Sequence, residues 1–107
     1  MSNSKLNCIH PGTILKEEIL DPRGISQAEL ARRINISTKR INEICQGRRG
    51  ITPDTALRLA LGFNLGEEGI EFWMNLQQRY ERECWKDYLI QQEKIIIREV
   101  QPLPSLK

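Results

Sequence analysis

The chain has 107 residues and a formal net charge of +2, and 39% of its residues are hydrophobic and 28% are charged. This length allows one domain with a single modest core, and the composition is that of an ordinary soluble protein. No apolar run approaches the roughly 18 residues of a membrane span and the N-terminus lacks the apolar core of a signal peptide, so the sequence predicts a cytoplasmic protein without a membrane partner.

Cysteine, histidine and acidic residues give no sign of catalysis or of a metal site. Cys8, Cys45 and Cys84 are far apart, which suits neither a disulfide framework nor paired zinc ligands, and we expect reduced, structural thiols. His10 is the only histidine, which excludes a histidine-based triad and a multi-histidine metal site. The acidic residues of segment 67–71 fit a solvated loop. The sequence therefore predicts no catalytic residue, no metal and no cofactor.

Basic charge is concentrated in one part of the chain. From Arg23 to Arg58 there are eight Lys or Arg against three Asp or Glu, a local charge of +5, whereas Gly66 to Glu83 carries −3. A phosphate backbone is attracted to such a basic segment, although surface charge also clusters by chance.

The first elements in chain order are a polar arm and a helix. Residues 1–9 show no hydrophobic period and are expected to form a mobile arm. A helix is predicted to follow, with Thr13 as a candidate cap and Leu15 and Ile19 on its buried face. Asp21-Pro22 and Gly24 are expected to end it.

Two short amphipathic helices joined by a turn come next. Ser26 is the predicted N-cap of the first helix, in a capping box with Glu29, and Ser37 is the predicted N-cap of the second. Asn35 suits a left-handed turn between them, and Gly47 suits a left-handed C-terminal cap. Because the turn is so short, the helices cross steeply and the second presents its polar N-terminal side to the outside.

Two more helices complete the prediction. A fourth helix is expected to begin after the N-cap Thr52 and to end near Gly62. An exposed loop over residues 65–69 then leads to a fifth helix from about Ile70. Residues 94–100, KIIIREV, are either the end of this helix or a short strand.

The second helix of the pair carries side chains suited to reading DNA. Sequence is read from base edges in the major groove, whereas phosphate contacts set the position of the protein. The candidates for base contacts are Thr38, Lys39, Asn42 and Glu43. Lys39 suits guanine, Asn42 adenine and Glu43 cytosine, while Thr38 suits a thymine methyl group or a phosphate. The candidates for phosphate contacts are Gln27, Ser37, Arg40, Arg48 and Arg49. The alternative interpretation for each of these residues is an exposed, solvated side chain that contacts no DNA.

Aromatic and apolar residues of the fifth helix are candidates for a dimer interface. The candidates are Phe72, Trp73, Leu76 and Tyr80. Aromatic residues on an amphipathic helix dominate both cores and interfaces, so Phe72 and Trp73 suit the core of the chain or contact with a partner protein as well. Either Leu76 or Gln77 lies on the side that faces the core.

Four sequence blocks resemble a known family. The block from Ser26 to Gly47 resembles the helix-turn-helix of the Cro/C1-type (XRE) repressors, with its Ser-Gln opening, Leu-Ala pair, Ile-Ser turn and closing Gly. HPGTILKEEIL before it, and ITPDTALRLAL and EFWMNLQQRY after it, resemble the HigA (VapI) branch of addiction-module antitoxins. The resemblance implies an all-α, five-helix lambda-repressor-like domain over residues 10–84, with the helix-turn-helix at 26–47. A C-terminal extension and tail would occupy residues 85–107.

The same resemblance implies a function. A homodimer would bind double-stranded DNA at an inverted-repeat operator, repress its own operon and bind a RelE-like toxin that cleaves mRNA. Two alternatives stay open, a stand-alone XRE-family regulator without a toxin and a helical protein-interaction module that does not bind DNA. An enzyme is the weakest interpretation, because no nucleophile, base and orienting group occur in a recognisable arrangement.

Overall fold

The computed structural model describes residues 8–104, which contain five helices and no strand. The helices are α1 (residues 11–23), α2 (Gln27–Ile34), α3 (Thr38–Cys45), α4 (Pro53–Gly62) and α5 (Glu67–Ile96). This architecture confirms the predicted all-α, five-helix lambda-repressor-like fold with a C-terminal helical extension. None of these helices combines the length and apolarity needed to cross a membrane.

The first helix, α1, changes its helical type along its length. It is an α-helix at Pro11–Thr13, a π-helix at Ile14–Leu20 and an α-helix again at Asp21–Arg23. In a π-helix the hydrogen bonds join residues five apart, so the turn is wider than in an α-helix. Leu15 and Leu20, which are five apart, are accordingly both buried, at 0% and 1% exposure. Ile19, predicted to share the buried face with Leu15, is only half-buried.

The N-terminal end of α1 differs from the prediction, and its C-terminal end agrees at Gly24 but not at Pro22. The N-cap is His10 and not Thr13, because Nδ1 of His10 accepts the N–H of Gly12 at 2.8 Å. Pro22 lies inside α1 instead of ending it. Nη1 of Arg23 donates to the carbonyl oxygens of Glu18 and Ile19 at 3.2 and 3.1 Å, which supplies hydrogen bonds where the proline has no N–H to donate. The helix ends at Gly24, which has the left-handed φ of 66°.

The predicted helix-turn-helix is formed by α2 and α3. Oγ of Ser26 accepts the N–H of Glu29 at 3.0 Å, and Oγ of Ser37 accepts the N–H three residues on at 3.1 Å, so both predicted N-caps are confirmed. The reciprocal half of the capping box is not formed, because the Glu29 carboxylate binds Arg33 and Arg32. Hydrogen bonds from these two arginines lower the pKa of Glu29.

Left-handed residues end both helices of the pair, as predicted. Asn35 follows α2 with φ 60°, and Gly47 follows α3 with φ 78°. Asparagine and glycine adopt this conformation at the least steric cost, so the chain changes direction at each position with little backbone strain.

The loop between α4 and α5 is shorter than predicted. We expected it to span residues 65–69, but α5 already begins at Glu67. The two helices approach closely at Gly69, where an added Cβ would lie 3.0 Å from the Cβ of Ala60. The glycine therefore serves close packing between helices, and its presence does not indicate a loop.

The fourth helix and the end of the fifth agree with the sequence patterns. Thr52 caps α4 through the N–H of Thr55, at 3.3 Å from Oγ1, and the helix ends at Gly62. The pattern of KIIIREV fits either a helix or a strand. α5 runs to Ile96 and a turn follows at residues 97–99, so residues 94–96 of this segment are the end of the helix.

Trp73 is the largest fully buried side chain, with 0% exposure. Its ring centroid lies 5.1 Å from that of Phe72 and 6.5 Å from that of Phe63. The prediction that Trp73 contributes to a dimer interface is therefore wrong, because its side chain is enclosed within a single copy of the chain. Among the other candidates, Phe72 is exposed, whereas Leu76 and Tyr80 are half-buried.

Two of the three cysteines are joined, which corrects the expectation of three reduced thiols. Cys8 and Cys84 form a disulfide with their Cα atoms 5.3 Å apart. Their wide sequence separation hid this contact, which arises because residues 8–10 lie beside α5, where the His10 ring also contacts the Tyr80 ring at a centroid distance of 4.7 Å. Cys45 is a free, buried thiol, and burial raises its pKa. Apart from Cys8 and Ile9, the predicted arm lies outside the described residues, as does the end of the predicted tail.

Candidate nucleic-acid interface

The third helix has one side in the core and the other in solvent. Ile41 and Ile44 are fully buried, whereas Thr38 and Lys39 are exposed. Gly12 of α1 lies directly against α3, because a Cβ added to Gly12 would overlap the carbonyl oxygen of Ile44. Core packing and this close backbone contact together fix which side of α3 faces outward.

The outward side begins with Thr38 and Lys39, two of the predicted base-reading residues. Both lie in the first turn of α3 and both side chains are exposed. A lysine in this position can donate to the acceptor atoms of guanine, and the first turn of a recognition helix is the part that enters the major groove. Their placement leaves both residues accessible to a ligand.

Asn42 and Gln27, predicted to have different roles, are brought together. Nδ2 of Asn42 donates to Oε1 of Gln27 at 3.1 Å, and both residues are half-buried. The hydrogen bond joins the start of α2 to the middle of α3. Each amide retains further donor and acceptor capacity for a base or a phosphate.

Glu43 and Arg49 are also brought together. Nε of Arg49 lies 3.0 Å and Nη2 2.9 Å from Oε1 of Glu43. The segment that carries Arg49 turns back on α3 at Gly47, and the N–H of Arg48 donates to the carbonyl oxygen of Glu43 at 2.8 Å. A predicted base reader and a predicted phosphate clamp thus form one ion pair.

Arg40 is turned toward α4. Its Nη2 donates to Oγ1 of Thr55 at 2.9 Å and lies 3.8 Å from a carboxylate oxygen of Asp54, and its side chain is 29% exposed. We predicted a phosphate clamp here, but the guanidinium instead joins α3 to α4. The sequence pattern did not reveal this contact, because Thr55 lies 15 positions after Arg40 and belongs to a different helix.

The remaining phosphate candidates are at the two ends of α3. Ser37 is exposed, and its Oγ already accepts the capping hydrogen bond. Arg48 is exposed beyond the other end and donates to the side chain of Gln46. A serine hydroxyl that accepts one hydrogen bond can still donate its proton to a phosphate.

One residue that supports this surface was named in the sequence analysis only as an alternative to Leu76 on the core-facing side, with no role assigned to it. Gln77 of α5 is buried, and its Oε1 accepts the N–H of Ile51 at 2.7 Å while its Nε2 donates to Glu81 at 3.0 Å. It fixes the backbone just after the Arg48–Arg49 segment. The available signal was its position four residues after Trp73, which places a polar amide on the buried side of α5.

In residues 8–104, five helices include a pair joined by a short turn, with an exposed polar first turn on the second helix of the pair and basic residues after it. These features define a helix-turn-helix DNA-binding class of protein. The chain belongs to the helix-turn-helix family HTH_3, whose model matches residues 15–70, and within it to the HigA (VapI) branch of XRE-type proteins. This is a family of DNA-binding proteins and not of enzymes.

Individual relatives cover nearly the whole chain. Virulence-associated protein I of Dichelobacter nodosus is 40% identical over 102 residues, which are 95% of this chain and 87% of the relative. The solved structure of Pseudomonas aeruginosa antitoxin HigA with the higBA promoter is 38% identical, covers 90% of this chain and 98% of its own, and has a TM-score of 0.68. Antitoxin GraA in complex with its operator is 37% identical, covers 91% and 92%, and has a TM-score of 0.69.

Proposed function

We propose that this protein is a sequence-specific DNA-binding repressor and the antitoxin of a HigB/HigA-type pair. The main observation behind this proposal is the exposed first turn of α3, which contains Lys39 and lies beside the Gln27–Asn42 hydrogen bond. The relatives support it, because two similar solved structures are described with promoter or operator DNA. The RelE-like class of the toxin rests on the sequence resemblance alone.

In this mechanism α3 lies in the major groove and the basic segment after it holds the backbone. Lys39 reads a base edge, and Asn42, oriented by Gln27, reads a second one. Arg48 and Arg49 contact phosphates, which supplies affinity that does not depend on sequence. Arg40 stays a candidate phosphate contact, although its Nη2 is already engaged with Thr55 of α4.

The test of this division is a pair of alanine variants. Lys39→Ala should weaken binding to a promoter fragment from its own gene at one base position, by about 1–3 kcal/mol. Arg49→Ala should weaken binding to all sequences alike and reduce the salt dependence by about one phosphate contact. Fluorescence anisotropy with single-base variants of the fragment measures both effects. An identical, base-independent loss in both variants would contradict the division.

The proposed protein is a homodimer that binds an inverted repeat. Support comes from α5, whose second half exposes several large apolar side chains, including Trp85, Tyr88, Leu89, Ile90, Ile95 and Ile96. Exposed apolar surface of this extent marks an interaction site. A two-fold dimer would set two α3 helices about 34 Å apart, one turn of DNA, so the protected site should be a pseudo-palindrome.

Sedimentation analysis tests the dimer. Ile90→Glu places a charge on an exposed apolar position and should convert a dimer into a monomer. The matched control is Gln91→Glu, which adds the same charge at the neighbouring exposed position without removing an apolar side chain. A monomeric wild-type protein would refute the homodimer and its symmetric operator.

The proposed antitoxin function is tested separately from DNA binding. We expect the product of the adjacent gene to be a small RelE-like protein that copurifies with this chain and stops cleaving mRNA when bound. DNA binding without such a partner would favour the stand-alone regulator. Partner binding without salt-dependent retardation of promoter DNA would favour a helical protein-interaction module.

A further inference from the structure

The Glu43–Arg49 ion pair lies on the surface that the proposed function places against DNA. Nη2 and Nε of Arg49 both reach the same oxygen, Oε1 of Glu43, at 2.9 and 3.0 Å. The Glu43 side chain is 22% exposed, whereas the Arg49 side chain is 50% exposed. The carboxylate is therefore the more enclosed partner, and the arginine is the one that solvent or a ligand reaches.

The backbone reinforces this arrangement. The N–H of Arg48 donates to the carbonyl oxygen of Glu43 at 2.8 Å, so Glu43 anchors the returning segment through its main chain and its side chain together. Gly47 supplies the left-handed turn that brings the segment back, with φ 78°. Glu43 thus contributes both a main-chain and a side-chain contact to the position of Arg49, beside the hydrogen bond from the N–H of Gly47 to the carbonyl oxygen of Ile44 at 3.0 Å.

Electrostatics argue against a direct reading role for Glu43. A free carboxylate next to DNA is repelled by the phosphates, whereas a carboxylate paired with an arginine adds little net charge. A long arginine side chain also loses rotamer entropy when it is ordered on a phosphate, and a carboxylate that already holds it reduces that loss.

We infer that Glu43 is a positioning residue that holds the Arg49 guanidinium for a phosphate, and that it does not read cytosine. The inference rests on the proposed DNA-binding function and assigns Glu43 to the affinity that is independent of sequence. The candidates for base contacts are then Thr38, Lys39 and Asn42.

The experiment measures anisotropy of labelled promoter fragments at several salt concentrations, using the full chain. Glu43→Gln should weaken binding to every fragment by about two- to fivefold, the range of a partly exposed ion pair. The preference between the natural fragment and its single-base variants should not change. Thermal unfolding confirms that the variant is folded.

A double-mutant cycle isolates the pair. Arg49→Ala should cost less affinity in the Glu43→Gln background than in the wild type, because the arginine is no longer held. Arg49→Lys keeps the charge but lacks the planar fork, so it should also lose affinity. Glu68→Gln, an exposed charge removal on α5, is the matched control for net charge and should leave the cycle unaffected.

Three outcomes would overturn the inference. A Glu43→Gln loss confined to one base position would make Glu43 a reader. A gain in affinity for all fragments would show that its charge only opposes DNA, and additive effects in the cycle would show that the pair does not act together. If the wild type does not bind its promoter at any salt concentration, the proposed function itself fails, which is a different result from any of these three.

Discussion

Gly12 fixes the distance between α1 and α3. A Cβ at this position would overlap the carbonyl oxygen of Ile44, which belongs to the backbone of α3 and has no room to move away. The sequence resemblance covered this residue, but the reason for the glycine became visible only in the packing. The orientation of the candidate DNA-reading helix thus depends on the absence of one side chain.

Gly12→Ala should lower the free energy of unfolding by about 3 kcal/mol, because a methyl group forced into a packed contact shifts backbone on both sides. Urea unfolding followed by circular dichroism measures the loss. Gly66→Ala is the matched control, since a Cβ there meets nothing within 4 Å, and as a change at the N-cap of α5 it should cost about 1 kcal/mol or less. Equal effects of the two substitutions would contradict the close contact.

His10 makes stability depend on pH. Burial lowers its pKa below the ordinary value of 6.5, and its unprotonated Nδ1 accepts the N–H of Gly12. As pH falls below about 6.5 the unfolded chain takes up this proton before the folded chain does. The contribution of His10 is therefore fully present above that pH and is lost as pH falls through the lowered pKa of the folded state.

His10→Asn tests this dependence, because asparagine also caps helices but does not titrate. The difference in free energy of unfolding between wild type and variant should be constant above about pH 7 and should shrink toward acid pH, since the ordinary pKa is 6.5. Urea titrations from pH 5 to 8, on the order of the histidine range, give this difference. A pH-independent difference would rule out a titrating His10.

At the scale of elements, caps and turns were predictable because their causes are local. Ser26, Ser37 and Thr52 cap the helices that they precede, and Asn35 adopts the left-handed conformation that its side chain tolerates. The face of α1 was not predictable, because its apolar spacing does not follow the period of an α-helix. The π-helix at Ile14–Leu20 pairs Leu15 with a residue five positions on.

The candidate site was predictable in outline and not in its partnerships. The exposed side of α3 followed from its amphipathic pattern. Arg40, Glu43 and Asn42 have partners that lie 6 to 15 positions away in sequence, and no local pattern specifies such contacts. The choice between core and interface for Trp73 was not predictable for a related reason. An aromatic residue on an amphipathic helix has the same spacing in a core as in an interface.

Gln77 is the polar link between α5 and the end of the helix-turn-helix. Gln77→Leu would leave the buried N–H of Ile51 without its acceptor and should cost about 1–3 kcal/mol of stability. Thermal or urea unfolding measures this cost. The control is Gln78→Leu, at an exposed position of the same helix, which should change stability by less than about 0.5 kcal/mol.

At the scale of the whole molecule, the disulfide joins the start of the described chain to the middle part of α5. Cys8 and Cys84 are 76 positions apart, and a cross-link over such a loop stabilises mainly by restricting the unfolded chain. Cys8→Ser should lower the free energy of unfolding of the oxidised protein by about 4 kcal/mol. The wild type in excess dithiothreitol should then match the variant. No effect of the reductant on the wild type would mean that the link does not form in solution.

The hydrogen bond between Asn42 and Gln27 has a consequence for how operator preference can diverge. If Asn42 reads a base as proposed, a change at Asn42 alone leaves the Gln27 amide without this partner, so a new base preference there favours a matching change at Gln27. Lys39, exposed in the first turn of α3, is free of that constraint. We expect natural variants that prefer different operators to differ singly at position 39, and at positions 27 and 42 as a pair.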